Sequence, residues 1–133
     1  MEQVRYEFVT DLNAAEVADV FRNAGIRRPV DDTQRIQSMI DNSNLIVTAR
    51  LNGRLVGIAR GLTDFAWCCY LSDLAVDKQF QRMGIGKELM RQVREEIGPG
   101  VKLLLVAAET AEEYYPKIGF EKVDRAYGIP RMY

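Results

Sequence analysis

Histidine is absent from all 133 residues, and this gap excludes more chemistry than any other feature of the composition. Serine and cysteine hydrolases that rely on an imidazole base, histidine-ligated zinc or iron, and every imidazole proton shuttle drop out. Cysteine is scarce. Cys68 and Cys69 are adjacent in an apolar run, where they read as small strand or core residues of a reducing compartment, and no base partner is at hand for a nucleophilic thiol. No apolar run approaches the ~18 residues of a membrane span. Met1 to Asp11 mixes charged with apolar residues, unlike the apolar stretch of a signal peptide, so the expectation is a cytoplasmic protein with no membrane partner. A charge excess is also lacking. The 18 Lys and Arg against 19 Asp and Glu leave −1, far from the basic footprint of a nucleic-acid partner.

With 47% hydrophobic and 28% charged residues, residues 1–133 read as one globular domain. A chain of this length buries roughly two thirds of its unfolded surface and needs no disulfide or metal to fold. Any catalysis falls to carboxylates, tyrosine, lysine, backbone dipoles or a bound cosubstrate.

Val4 to Thr10 alternates as a first strand, and Asn13 with Glu16 forms a capping-box pattern for a helix carrying Val17, Val20, Phe21 and Ala24 on one face. Gly25 stops that helix, and Thr33 can cap a second one with Ile36, Met39 and Ile40. Asn52-Gly53 between Leu45–Leu51 and Arg54–Leu62 is a strong hairpin signal, because both turn positions require positive φ. Ala66 to Val76 reads as a third long strand. Ile85, Leu89, Val93 and Ile97 mark a helix ended by Gly98-Pro99-Gly100, and Leu103 to Val106 follows as a run buried on both faces. Strand, helix, strand predicts a parallel pair at the middle of a mixed sheet. A last helix from Glu109 to Tyr115 and terminal strands from Phe120 onward complete an α/β layer.

The stretch Gln81-Arg82-Met83-Gly84-Ile85-Gly86-Lys87 lies between a strand and the head of a helix. Two missing side chains let backbone N–H groups close on phosphate oxygens, and the helix start adds partial positive charge. Alone, the same pattern is equally a structural turn, and Arg82 and Lys87 are equally solvated cations near a helix cap. Spacing removes two competitors. A P-loop needs Gly where Gln81 stands and Ser or Thr where Glu88 stands. A dinucleotide fingerprint needs Gly in place of Leu89.

These residues resemble the GNAT superfamily of N-acetyltransferases, whose core pattern is (Arg or Gln)-x-x-Gly-x-(Gly or Ala) after a strand; Gln81-x-x-Gly84-x-Gly86 fits it. Leu71-Ser72-Asp73-Leu74-Ala75-Val76 looks like that family's preceding strand, and Tyr114-Tyr115-Pro116-Lys117-Ile118-Gly119-Phe120 like its tyrosine-containing helix end. The resemblance implies a GNAT-like fold: a central, mixed, mostly antiparallel sheet of six to seven strands, helices on both faces, and a parallel pair that splays apart. It implies acetyl-CoA as cosubstrate. Leu74, Ala75 and Val76 would line the pantetheine arm, with the backbone of Leu74 and Val76 pairing with it, while Gln81, Arg82, Met83, Gly84, Ile85, Gly86 and Lys87 would form the pyrophosphate loop. Tyr115 would meet the departing thiolate, leaving Tyr114 to point into the core.

Two positions depart from the family. Ala108 stands where many members have asparagine, and Asp73 is the one acid where many have a strand carboxylate. A primary amine with pKa near 10 must lose a proton before attacking a thioester. Asp73 could take it; Asp73 could equally be a strand-end hydrogen-bond acceptor; a third possibility is water relayed through Ser72 or backbone carbonyls. The function implied is acetyl transfer to a primary amine, in a small molecule or a peptide, by direct attack; the alternative is a non-catalytic acyl-CoA-binding sensor. Acceptor contacts are expected from Ala24 to Met39 and the tail after Asp124, and so short a chain can complete its pocket across a homodimer interface.

Overall fold

The computed structural model of the chain describes residues 3–133. Its sheet has five strands: β1 (Arg5–Phe8), β2 (Leu45–Leu51), β3 (Arg54–Thr63), β4 (Cys68–Val76) and β5 (Lys102–Leu105), side by side in chain order. The first three pairings are antiparallel and β4–β5 is parallel. The hairpin between β2 and β3 turns at Asn52 (φ 52°) and Gly53 (φ 81°), the positive pair its sequence predicts.

Helices α1 (Ala14–Ala24) and α2 (Thr33–Asp41) cover one face, where Val17, Phe21, Ile36 and Ile40 pack on Ile46, Ile58 and Ala75. Helix α3 (Ile85–Ile97) covers the other, with Leu89 and Val93 against Val47, Val56 and Leu71. Asn13 Oδ1 accepts from the amides of Ala15 (2.8 Å) and Glu16 (3.3 Å), capping α1. The reciprocal half of that box is not used, because the Glu16 carboxylate reaches Arg50 on β2 at 2.7 and 2.9 Å. Asp32 caps α2, and Thr33 is its first helical residue.

The six to seven strands expected reduce to five. Residues 118–133 contain no strand, so the parallel pair lies at the sheet edge, not its middle. With no neighbour outside it, β5 is only half-buried and Val106 is largely exposed. The last helix is short: a 3-10 turn at Glu109–Ala111, then α4 (Tyr114–Lys117). Ala66 and Trp67 belong to the β3–β4 turn, where the Asp64 carboxylate accepts from the amides of Ala66, Trp67 and Cys68. Those three amides hold its pKa down to about 2. Cys69 is buried as expected, whereas Cys68 is exposed.

Candidate active site

Parallel pairing between β4 and β5 runs from Cys68↔Lys102 to Leu71↔Leu105 and ends there. β4 continues to Val76 paired with β3 only. Ser72 lies opposite a register shift at Arg60/Gly61 on β3, so the strand bends where its neighbour stops. The Asp77 amide donates to Val56 O (2.9 Å) on β3; by alternation along the strand, the backbone groups of Val76 and Leu74 face the opposite way, into the gap left by β5. The Val76 carbonyl is taken by Gln81 Nε2 at 3.0 Å.

A 3-10 turn (Lys78–Phe80) then leads to the glycine loop. Buried Asp77 anchors it, accepting from Gln79 N (2.9 Å), Arg54 Nη2 (2.8 Å) and Asn23 Nδ2 (3.3 Å). Arg82 (φ 71°) and Gly84 (φ 79°) flank Met83 in left-handed geometry, an arrangement that curls successive N–H groups into an anion-binding concavity. The first helical bond of α3 runs from the Glu88 amide to Gly84 O (3.0 Å). Among the described residues the amides of 82–87 find no acceptor in the chain. At Gly86 a Cβ would stand 3.7 Å from Val76 Cγ2, with no closer neighbour. The Glu88 carboxylate, which a phosphate would avoid, turns back to Arg91 (2.8 Å to both Nε and Nη2) and Gln92 (2.8 Å); Arg91 brings its pKa to about 2.

Tyr115, like Leu74, Val76 and Leu105, packs against the core cluster on the α3 side, and its ring is in edge contact with Tyr114 (5.3 Å) and Phe120 (5.4 Å). Burial, aided by Tyr114, raises its phenol above 10. The tyrosines exchange the environments expected of them: Tyr114 is exposed, and Tyr115 is the packed one. A cleft of about 1400 Å³ runs along α3 and is walled by residues 117–125; it reaches the loop at Gly84 and Lys87 but does not include Leu74, Val76 or Tyr115.

Asp73 lies on the other face. Its side chain is wholly buried, with Oδ1 accepting from Arg28 Nε (2.6 Å) and Oδ2 from Arg60 Nε (2.5 Å). Arg28 also donates to Ser72 O (2.8 Å), and Arg60 to Ser72 Oγ and Ser43 Oγ (both 3.0 Å). With both carboxylate oxygens occupied by guanidiniums, Asp73 makes the contacts of a strand hydrogen-bond acceptor. Arg28, Arg60 and Asp77 were not singled out by motif. For Arg60 and Asp77 the one sequence signal is a charge inside or just after an apolar strand run, which demands a buried partner; Arg28, in the α1–α2 loop, carries none.

A family model for the acetyltransferase (GNAT) domain matches residues 16–128. The uncharacterized N-acetyltransferase ycf52 of Pyropia yezoensis is 24% identical over 119 residues, 84% of this chain and 67% of that protein. A protein of unknown function from methicillin-resistant Staphylococcus aureus, described as a probable acetyltransferase, superposes with a TM-score of 0.84 at 22% identity, over 98% of this chain and 100% of that one. An aminoglycoside N-acetyltransferase solved in complex with CoA gives a TM-score of 0.74 at 12% identity, over 99% and 97%. The fold is thus that of these acetyltransferases, and the family pattern runs through most of the sequence: the chain belongs to the GNAT family of acetyltransferases, which are acyl-transferring enzymes.

Proposed function

We propose that residues 1–133 act as one catalytic domain that moves the acetyl group of acetyl-CoA to a primary amine by direct attack. The observation that carries this reading is the set of unpartnered amides at positions 82–87, at the head of α3 and directly after the stretch of β4 that β5 leaves alone. Hydrogen bonds to a charged group contribute roughly 1.5–3 kcal/mol each, so several amides together hold a pyrophosphate firmly. Arg82 and Lys87 add charge, Gln81 ties the loop to Val76, and Leu74 to Val76 line the pantetheine arm as a missing strand would.

In the reaction the neutral amine attacks the acetyl carbonyl, and the oxyanion forms near the Val76 amide. The C–S bond breaks, and the thiolate leaves toward Tyr115. A thiol near 8.5 and a phenol near 10 make full proton donation uphill by about 2 kcal/mol, and burial of Tyr115 widens that gap. Tyr115 therefore serves as a hydrogen-bond donor to the thiolate. With Asp73 occupied, the amine proton leaves through water, relayed past Ser72.

The locked state of Asp73 also favours a second reading, an acyl-CoA-binding sensor without turnover. Calorimetry with acetyl-CoA and thiol release across a chemically diverse amine set separate the two. Binding with turnover and intersecting steady-state patterns are expected. Tight binding without thiol release supports the sensor, ping-pong patterns or an acetyl group trapped on Cys68 or Cys69 refute direct attack, and absence of binding removes both.

A further inference from the structure

The α1/α2 face of the sheet is not wholly covered. Along β3, Ile58, Arg60 and Leu62 share that face; the first two lie under the helices and Leu62 lies beyond them. Leu62 pairs with Tyr70 on β4, and Tyr70 with Leu104 on β5. The flanking residues Cys69, Leu71, Leu103 and Leu105 all pack toward α3, so Tyr70 and Leu104 point the other way. An apolar row therefore crosses three strands on an open face, with Leu62 43% and Tyr70 40% exposed. At one end stands the β3–β4 turn with Phe65 at 49% and Trp67 at 78% exposure. At the other, one residue past Leu71, β4 and β5 part, and Arg28 (28% exposed) lies on Ser72 and Asp73.

Resting on the acetyl-transfer reading, we infer that this row is the acceptor site and that it takes a small primary amine with an aromatic or similarly flat apolar body and no second cation. Three partly exposed rings offer at most a few hundred Å², short of the ~800 Å² per partner that a stable protein interface needs but suited to one ring. The row is continuous with the gap in which the thioester carbonyl lies, so an amine seated on it has a short reach to the acetyl carbon. Two guanidiniums against one carboxylate leave the Arg28–Asp73–Arg60 cluster with surplus positive charge. That surplus repels a second cation near it and lowers the pKa of an amine beside it, which lessens the need for a dedicated base; Asp64, the acid at the aromatic end of the row, already accepts from the amides of Ala66, Trp67 and Cys68.

Trp67 is the chain's one tryptophan, so its fluorescence reports on the site without acetyl transfer. Titration with 2-phenylethylamine should shift Trp67 emission to the blue, and putrescine should not. In thiol-release assays with acetyl-CoA, kcat/KM for 2-phenylethylamine should exceed that for putrescine at least tenfold. Tyr70→Ala should raise the KM for 2-phenylethylamine about tenfold and that for n-butylamine by a clearly smaller factor, and leave acetyl-CoA affinity unchanged, while the lost cross-strand packing lowers the melting temperature by a few degrees at most. A preference for putrescine, or no effect of Tyr70→Ala, overturns the proposal while leaving acetyl transfer standing. A Trp67 shift without thiol release keeps the site and removes the transfer reading. Neither shift nor release removes both.

Discussion

At Gly86 the first turn of α3 has room for a side chain, 3.7 Å from Val76 Cγ2 at the nearest point. A carboxylate there favours the helix start, whose unpaired amides carry partial positive charge, but faces any bound diphosphate with like charge. Gly86→Asp should therefore melt at the same temperature as the wild type or higher, and lose on the order of 100-fold in acetyl-CoA affinity by calorimetry; unchanged affinity would remove the loop from the binding site. Asp73 presents the opposite case, a charge that cannot be spared. Asp73→Asn leaves Arg60 buried without its counter-ion, a change of about 3–5 kcal/mol, so the melting temperature should fall by on the order of 10 °C. In the surviving folded enzyme the acidic limb of the pH–rate profile should stay where it was. Its disappearance would make Asp73 the base after all.

Among the elements, α1 is tied to the sheet by Glu16 and Arg50 as well as by its apolar face. The hydrogen bonds from Arg50 hold the Glu16 carboxyl below its ordinary value of 4.5. A lowered carboxyl stabilises the fold above that ordinary value, and the contribution is lost as pH falls through the lowered one. Glu16→Gln should thus melt below the wild type at pH 7, by less than about 1 kcal/mol for so exposed a pair, and the two melting curves should converge in strong acid. The same elements show what the sequence made legible. Local signals sufficed where the chemistry is local: Asn13 capped α1, Asn52-Gly53 turned the hairpin, and Gly98 stopped α3 with φ 82°. Signals failed where long-range pairing decides. Phe120 onward has strand-like composition but pairs with no strand among the described residues, and a strand without a partner does not form. The order of Tyr114 and Tyr115 depends on how α4 docks, which no spacing encodes. The place of the glycine loop, between β4 and α3, could be read from residues alone, whereas the Arg28–Asp73–Arg60 cluster joins the α1–α2 loop to β3 and β4 across 45 positions of sequence and appears only on folding.

For the whole molecule, the proposed roles divide between the two faces of the sheet. Tyr115 packs on the α3 side, the Leu62–Tyr70 row lies on the α1/α2 side, and the opening beyond Leu71↔Leu105 connects them. Amine and acetyl-CoA should then occupy the protein together, and coenzyme A added as product inhibitor should compete with acetyl-CoA but act noncompetitively against the amine; competition against both would place them on one side. On the proposed reading, an early stop in β5 gives the two products separate exits, and a spent carrier still in place need not detain the acetylated amine.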